Sequence, residues 1–282
     1  MSKPGPRQST KDSVDLAAMA GTLAAIALRA SDMVLRAYES GVPIRAKADS
    51  SPVCEADERS EEIILAALAE HFPGVPAVSE EAVSQGLIPK FGNEFFLVDP
   101  LDGTREFAAR NGEFTVTLAF IRNGAPICGA VCAPVARRLW TGWDAQAWEH
   151  VVTFRDGEAE LTGRRPAIIS HDSSSPLRVL ISRSHLEPAT EAFLATLPPS
   201  KPVRIGSSVK FCLIASGEGD VYPRFGPTME WDTAAGDAVL RAAGGIVVDA
   251  NGHPMRYGKA AEGFHNPHFV AWADPAQARI VR

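Results

Sequence analysis

Two stretches near the start of the chain carry apolar residues at helical spacing. The first, Val14–Glu39, is followed by Ser40-Gly41, and the second, Glu55–Phe72, is acidic near its start and is followed by Pro73-Gly74. Glycine and proline just beyond the last periodic residue are signals that a helix stops. Because the spacing is helical in both stretches, we predict two long amphipathic helices here.

Four apolar segments separated by turn residues come next. Glu113–Arg122 and Ala125–Pro134 flank Asn123-Gly124, a dipeptide that is typical of a hairpin turn. Arg137–Gly142 and Gln146–Thr153 continue the same rhythm. The first half of the chain is therefore predicted to pack its two helices on an antiparallel meander.

From about Pro166 the pattern changes to alternating short strands and helices. The predicted strands are Arg178–Ser182, Val203–Ile205, Val221–Tyr222 and Ile246–Asp249, and the predicted helices are Pro188–Leu197, Gly206–Ser216 and Thr233–Ala243. The polar segment Gly157–Pro176 is predicted to be the loop between two subdomains. We expect a disordered tail over residues 1–12, an α+β subdomain over 13–160 and an α/β subdomain over 161–282, with a ligand cleft between the two subdomains.

Composition limits the class of protein. The 282 residues are 45% apolar and 22% charged, which is ordinary for a globular chain, and a net charge of -6 argues against a nucleic-acid partner. Four scattered cysteines are too few for a disulfide framework. The apolar run Leu16–Leu35 contains Arg29 and Asp32, so we expect no transmembrane segment, and residues 1–11 lack the apolar core of a signal peptide. A cytoplasmic protein is the expectation.

Two carboxylates at the end of a predicted strand are the most informative chemical feature. The apolar segment Phe95–Val98 runs directly into Asp99 and Asp102. Two close carboxylates repel each other at neutral pH, and a divalent cation such as Mg²⁺ removes that conflict. A proline between them stiffens the turn, Gly103 permits close approach and Thr104 adds a hydroxyl. This combination is typical of a metal-dependent phosphatase, although the pair alone could also be a solvated turn.

Other polar residues stand where elements are predicted to begin. Glu80 follows a short apolar segment, Asp57 lies in the first turn of the second helix, and Asp232 lies where a later helix begins. Ser207 and Ser208 occupy a predicted helix N-terminus, where anions bind readily. Taken singly, Glu80 could be a surface residue, Asp57 a charge that complements the helix dipole, and Asp232 a helix N-cap.

Four motifs in a fixed order carry a family resemblance. They are Asp99–Thr104, Arg110–Val116, Gly206–Cys212 and Tyr222–Thr228. With them the chain resembles the inositol monophosphatase superfamily of Mg²⁺-dependent, lithium-sensitive phosphatases, and within it the bacterial 3′(2′),5′-bisphosphate nucleotidases. The resemblance extends over about Lys47–Phe269. It implies an α/β fold, a layered αβαβα sandwich of the sugar-phosphatase type.

The resemblance also implies a metal site with two or three Mg²⁺ ions. The implied ligands are Glu80, Asp99, Asp102, Asp232 and the carbonyl oxygen of Leu101. Asp57 and Thr104 match the family's pair that orients or deprotonates the attacking water. Cys54 stands where the family usually has Thr, and a thiol is a weaker hydrogen-bond partner.

The substrate implied by the resemblance is a small nucleotide, 3′-phosphoadenosine 5′-phosphate. Its implied contacts are Lys47, Gly103, Thr104, His185, Ser207, Ser208, Lys210, Arg224 and Asp232. Taken alone, Lys210 and Arg224 could be solvated charges and His185 a loop-capping residue. Enzymes for inositol phosphates lack the Ser-Ser-x-Lys and Tyr-Pro-Arg pairing found here, which favours the nucleotidase.

The implied reaction gives AMP and phosphate, with 3′-phosphoadenylyl sulfate as a second substrate, and clears a by-product of sulfate assimilation. One alternative is an inositol or fructose-bisphosphate phosphatase of the same superfamily. Another is a non-catalytic nucleotide or lithium sensor, which Cys54 keeps open. The expected assembly is a monomer or a homodimer, in the cytoplasm or peripheral on the cytoplasmic face of the inner membrane.

Overall fold

The computed structural model describes residues 14–41, 44–46, 52–155, 158–170, 175–184 and 187–281. The predicted tail over residues 1–12, and the predicted site residues Lys47 and His185, lie outside the described residues. The side chain of Cys54 lies outside them as well.

Two helices form the first layer. α1 (Leu16–Ser40) and α2 (Glu55–His71) pack against each other, and β1 (Ile44–Ala46) pairs antiparallel with β2 (Pro52–Cys54) between them. The carboxylate of Asp15 accepts hydrogen bonds from two first-turn N–H groups of α1, both at 3.1 Å. The two predicted helices are confirmed.

α1 is also long and apolar enough to cross a membrane, judged by length and composition alone. However, 61% of its most apolar window is buried inside the protein, and Leu23, Ala27 and Val34 are completely buried. Such burial is typical of a core helix.

Seven strands form the larger sheet, in the order β3-β4-β5-β6-β7-β8-β9. Their bounds are β3 (Ala77–Ser79), β4 (Glu94–Asp102), β5 (Thr115–Arg122), β6 (Ala125–Ala133), β7 (Arg138–Trp143), β8 (Gln146–Arg155) and β9 (Glu158–Pro166). β3 and β4 are parallel, and each later pair is antiparallel. Short helices α3 (Glu80–Ser84) and α4 (Thr104–Ala108) follow β3 and β4. The predicted hairpin and meander are confirmed.

The predicted loop Gly157–Pro176 is wrong over Glu158–Pro166, which forms β9 at the edge of the larger sheet. Most of its side chains are exposed, so this strand needs no alternation of apolar and polar residues. The predicted boundary after residue 160 therefore falls inside a strand. The division into two subdomains itself stays a prediction.

Five strands form the smaller sheet, in the order β11-β10-β12-β14-β13. Their bounds are β10 (Leu177–Ser182), β11 (Ser200–Ile205), β12 (Val221–Arg224), β13 (Ile246–Asp249) and β14 (Phe269–Trp272). The helices of this part are α5 (Pro188–Leu194), α6 (Val209–Ala215) and α7 (Trp231–Ala242). The alternation of strands and helices predicted for the second half is confirmed, while β14 was not predicted.

The two sheets enclose α6 and α7. α7 contacts β5, β6 and β7 on one side and β13 on the other, with α6 beside it. The larger sheet approaches α7 closely at two glycines. A Cβ added at Gly129 would lie 2.7 Å from the carbonyl oxygen of Ala235, and one added at Gly142 would lie 2.5 Å from Cα of Val239. α5 contributes Phe193 to a separate apolar cluster on the smaller sheet. The order of layers is αβαβα, which confirms the predicted α/β sandwich.

Candidate functional site

A cleft of about 500 Å³ is lined by residues from both halves of the chain. Its walls come from the end of β4, from β12 and from the first residues of α3, α6 and α7. The predicted site residues that line it are Glu80, Asp99, Leu101, Asp102, Gly103, Thr104, Ser207, Ser208, Lys210, Arg224 and Asp232. The fold thus brings side chains that are up to about 150 positions apart in the sequence into one cavity.

Asp99 and Asp102 reach the cleft because β4 becomes irregular at its end. The pairing of β4 with β5 shifts register between these two residues. Asp99 is buried and accepts a hydrogen bond of 3.0 Å from the backbone N–H of Leu101. Burial raises its pKa well above the ordinary range, and the charges of Glu80, Asp102 and Asp232 raise it further.

Asp102 is fixed by groups from two other elements. It accepts a hydrogen bond of 3.1 Å from the hydroxyl of Thr115, at the start of β5, and another from the backbone N–H of Ser208, just before α6. The hydroxyls of Thr115 and Ser208 are themselves 3.0 Å apart. Burial raises the pKa of Asp102, and the Ser208 hydrogen bond and the charge of Lys210 oppose that rise.

Asp232 lies in the first turn of α7, two residues after Glu230, which is the N-cap residue. The interpretation of Asp232 as an ordinary N-cap is therefore wrong. Its carboxylate accepts a hydrogen bond of 2.8 Å from the backbone N–H of Met229. Its pKa is raised well above the ordinary range by burial, and further by the charges of Asp102 and Glu80. Asp232 therefore belongs electrostatically to the same cluster as Asp99.

Glu80 opens α3, directly after β3. Because β3 and β4 are parallel neighbours, their carboxyl ends meet at one edge of the sheet, and Glu80 faces the cleft beside Asp99. The helix start is held by Glu61 of α2, whose carboxylate accepts hydrogen bonds from the backbone N–H groups of Glu81 and Ala82 at 3.1 and 3.2 Å.

Asp57 and Thr104 lie next to each other, while the catalytic role predicted for them stays a prediction. Asp57 is only 2% exposed, and the hydroxyl of Thr104 lies 3.4 Å from its Oδ1 and 3.3 Å from the carbonyl oxygen of Leu101. One turn further along α2, the hydroxyl of Ser60 donates to the carbonyl of Pro100 at 2.8 Å. The same face of α2 thereby holds both the hydroxyl and the turn that carries the carboxylates.

Two cationic side chains also line the cleft, and their charges act on Asp102 and Asp232. Lys210 is 2% exposed, and its ammonium donates to the carbonyl oxygens of Ile205, at 3.2 Å, and Ser207. Burial lowers its pKa to about 8. Arg224, also buried, donates to the carbonyl of Pro227 at 3.1 Å. Neither residue is a solvated surface charge, so that alternative is wrong for both.

α6 begins at Val209, later than the predicted start at Gly206, so Ser207 and Ser208 precede the helix. Ser207 has a left-handed backbone with φ 49°. Gly103 also has a positive φ, 93°, and a Cβ there would lie 3.1 Å from the carbonyl oxygen of Glu113. The same Cβ would lie 3.4 Å from Cβ of Ser207, so the turn after β4 packs closely against the turn before α6.

Comparison with known proteins agrees with this site. The model of the inositol monophosphatase family matches residues 13–277. The chain belongs to the inositol monophosphatase family. It is 42% identical over 246 residues to the 3′(2′),5′-bisphosphate nucleotidase CysQ of Escherichia coli (strain K12), covering 86% of this chain and 95% of the relative. The same-named protein of Salmonella typhimurium is 40% identical over equal shares of the two chains.

Solved structures of the family agree in fold. The crystal structure of CysQ from Bacteroides thetaiotaomicron superimposes with a TM-score of 0.74 at 35% identity, over 92% of this chain and 98% of that one. Mycobacterium tuberculosis SuhB gives a TM-score of 0.70 at 22% identity, over 94% and 95% of the two chains, which concerns the fold alone. The predicted family is confirmed.

The carboxylates of this family member suit a hard divalent cation. Asp99, Asp102, Asp232 and Glu80 line one cleft, and burial followed by their mutual repulsion raises the pKa of both Asp99 and Asp232. Within the described ranges, no three His, Cys, Asp or Glu side chains are arranged as a ready-made metal site. The donor set, carboxylate oxygens beside a backbone carbonyl, is nevertheless the chemistry that Mg²⁺ prefers. The chemistry of these residues therefore fits Mg²⁺, and their assignment as its ligands stays a prediction.

Several residues that hold the site in place were not found from the sequence. Thr115, Ser60 and Glu61 each hold a cleft element by a hydrogen bond, as described above. Glu113 accepts two hydrogen bonds of 2.6 Å from the guanidinium of Arg183 and one of 2.7 Å from the backbone N–H of Gly206. These contacts join residues 13 to 93 positions apart in the chain. Glu113 and Thr115 lie within the motif Arg110–Val116, but the motif does not indicate which groups they contact.

Proposed function

We propose that this protein is a Mg²⁺-dependent 3′(2′),5′-bisphosphate nucleotidase that hydrolyses 3′-phosphoadenosine 5′-phosphate to AMP and phosphate. 3′-Phosphoadenylyl sulfate is the proposed second substrate. The observation that carries the proposal is one cleft lined both by a carboxylate cluster and by the buried cations Lys210 and Arg224. A molecule with one phosphate to be cleaved at a metal and a second to be held by cations matches this combination. The names of the CysQ relatives support the same substrate class.

In the proposed mechanism, Glu80, Asp99, Asp102, Asp232 and the Leu101 carbonyl hold two or three Mg²⁺ ions. When bound, Mg²⁺ supplies activation of the attacking water and neutralises the charge that develops on the phosphoryl group. Thr104 orients the water through its hydroxyl, and Asp57 accepts a proton through that hydroxyl, from which its Oδ1 is 3.4 Å away. The close approach permitted by Gly103 lets the turn after β4 bind the phosphate that is cleaved.

The second phosphate and the nucleoside are assigned to the cationic residues of the cleft. Lys210 and Arg224 bind the uncleaved phosphate by charge, and Ser207 and Ser208 add hydroxyl and backbone groups. Lys47, His185 and Asp232 complete the proposed substrate contacts. We place the enzyme in the cytoplasm, as a monomer or a homodimer, with no nucleic-acid partner.

The test is phosphate release from 3′-phosphoadenosine 5′-phosphate in the presence of Mg²⁺, measured beside inositol 1-phosphate and fructose 1,6-bisphosphate. We expect selective release from the nucleotide, lost in Asp102→Asn because a carboxylate ligand is removed. Preference for either sugar phosphate would retain the phosphatase chemistry and overturn the nucleotide assignment. Tight binding of the nucleotide without release would support a non-catalytic sensor instead.

A further inference from the structure

Glu230 is a completely buried acid that the mechanism does not use. It does not line the cleft, and its side chain is 0% exposed. Its two oxygens accept hydrogen bonds from the backbone N–H groups of Gly258, at 2.6 Å, and Lys259, at 2.9 Å. The ammonium of Lys259 adds a third contact at 2.5 Å. A buried carboxylate is costly unless it is paired and hydrogen-bonded in this way, so its presence calls for a reason.

The chain around Glu230 is bonded to residues 258–266 and, through the Thr117 hydroxyl that donates to the carbonyl of Trp231 at 3.3 Å, to β5. The backbone N–H of Glu230 donates to the carbonyl of Phe264 at 2.9 Å, and Met229 forms a β-bridge with His265. The side-chain amide of Asn266 donates to the carbonyl of Met229 at 2.5 Å and to the hydroxyl of Thr233 at 3.0 Å. Residues 258–266 therefore hold the turn Met229–Thr233 at both of its ends.

This turn determines where one proposed metal ligand points. Asp232 lies within it, and its carboxylate accepts a hydrogen bond of 2.8 Å from the backbone N–H of Met229. The holding segment is itself tied to the larger sheet, because the adjoining Tyr257 N–H donates to the carbonyl of Gly124 at 3.1 Å. That sheet also carries Asp99 at the end of β4. A continuous set of contacts thus connects the two sides of the carboxylate cluster.

We propose that Glu230, paired with Lys259, is a positioning residue that fixes the turn from which Asp232 faces the cleft. The inference rests on the proposed function, since it assigns Asp232 to the metal. Loss of the Glu230 charge weakens the contacts of Gly258 and Lys259 with the start of α7, so we expect the Asp232 carboxylate to become less ordered. The expected consequence is weaker metal binding, since outer contacts of this kind change metal affinity by about 10- to 100-fold.

A second buried pair in the same helix provides a matched control. Asp237 is also 0% exposed and accepts hydrogen bonds from Arg241, at 2.6 Å, and from the hydroxyl of Tyr257, at 2.8 Å. Like Glu230, it has one cationic partner and further donors. It lies five residues beyond Asp232 along α7. Breaking this pair should lower stability by a comparable amount without changing the turn that presents Asp232.

The experiment is isothermal titration of Mg²⁺ into wild type, Glu230→Gln, Lys259→Met and the control Arg241→Met, with a thermal melt of each. The amide of Gln presents one acceptor and one donor, so it loses at least one of the backbone bonds. We expect Kd for Mg²⁺ to rise about 10-fold or more in Glu230→Gln and in the same direction in Lys259→Met. Arg241→Met should have a lower Tm and a Kd within about twofold of wild type.

Kinetics provide a second readout. The Mg²⁺ concentration for half-maximal phosphate release should rise in Glu230→Gln, while kcat at saturating Mg²⁺ stays near the wild-type value. An unchanged Kd in Glu230→Gln would overturn the inference, and so would an equal rise in Arg241→Met. If Glu230→Gln does not fold, Lys259→Met against Arg241→Met decides by the same criteria. A wild type that binds Mg²⁺ but releases no phosphate would overturn the proposed function alone.

Discussion

Replacing Lys210 with Met tests which part of the substrate that side chain binds. Met has a similar length but no charge and no donor. In the described structure the ammonium donates to the carbonyls of Ile205 and Ser207, which uses two of its three N–H bonds. Lys210 lines the cleft, and in the proposed complex its third N–H donates to the second phosphate of the substrate. Since the substitution also removes a buried charge, we expect the variant to fold.

The magnitude follows from the kind of bond that is lost. A hydrogen bond to a charged group contributes about 1.5–3 kcal/mol, which corresponds to a factor of about 10–150. We therefore expect kcat/KM for 3′-phosphoadenosine 5′-phosphate to fall by that factor in Lys210→Met. Adenosine 3′-phosphate lacks the second phosphate, so its kcat/KM should change by less than about threefold. The measurement is the ratio of the two kcat/KM values in wild type and variant.

An equal loss on both substrates would refute the assignment of Lys210 to the second phosphate. The control is Lys201→Met, in which the same substitution is made at an exposed position of β11, and which should leave the ratio unchanged. The pH dependence adds an independent check. Burial lowers the pKa of Lys210 to about 8, so its positive charge is lost as pH rises through that value. KM for the bisphosphate should rise above that pH in wild type and not in Lys210→Met.

Three further predictions concern the carboxylates, the packing and the hydroxyl. Burial and neighbouring charges raise the pKa values of Asp99 and Asp232, so protons compete with Mg²⁺ at higher pH than they would at ordinary carboxylates. Calorimetry at a series of pH values should show the affinity for Mg²⁺ increasing as pH rises, and a flat profile would contradict this. Gly142→Ala places a Cβ 2.5 Å from the α7 backbone, so we expect it to lower the free energy of unfolding by about 1–3 kcal/mol and Tm by several degrees. The control is Gly163→Ala, whose Cβ would lie 3.4 Å from its nearest neighbour and which should not lower Tm in a thermal melt. Thr104→Ala should lower kcat by about 100-fold or more with little change in Tm, and Thr104→Ser should restore most of it; equal activity of wild type and Thr104→Ala would contradict the proposed role.

Local signals explain why much of the fold could be predicted. α1 and α2 end at glycine or proline signals, and the hairpin between β5 and β6 turns at Asn123-Gly124, so a few adjacent residues determine each boundary. The edge strand β9 was missed because an exposed strand carries no apolar alternation. β14 was missed although all four of its residues, Phe269–Trp272, are buried, since a short apolar run can belong to a strand or a helix.

The candidate site also contains residues that local sequence signals predicted and contacts that they did not. Asp99 and Asp102 were found because two carboxylates at the end of an apolar strand are a local anomaly. The contacts that fix them were not found: Ser60 reaches a carbonyl 40 positions away, and Thr115 reaches a hydroxyl 93 positions away. Such bonds depend on how the layers pack rather than on neighbouring residues. Their residue types, Ser and Thr, are common at every surface and give no signal by themselves.

The turn at Ser207 and Ser208 bonds to one residue of each proposed binding function. Its Ser208 N–H donates to Asp102, a proposed metal ligand, while its Ser207 carbonyl accepts from Lys210, the proposed phosphate-binding cation. The charge of Lys210 also opposes the rise in the pKa of Asp102 that burial causes. Because the two bonds belong to adjacent residues, we expect a substitution that displaces this turn to weaken Mg²⁺ binding and binding of the second phosphate together. Lys210→Met leaves the Ser208 N–H in place, so we expect it to affect the phosphate alone.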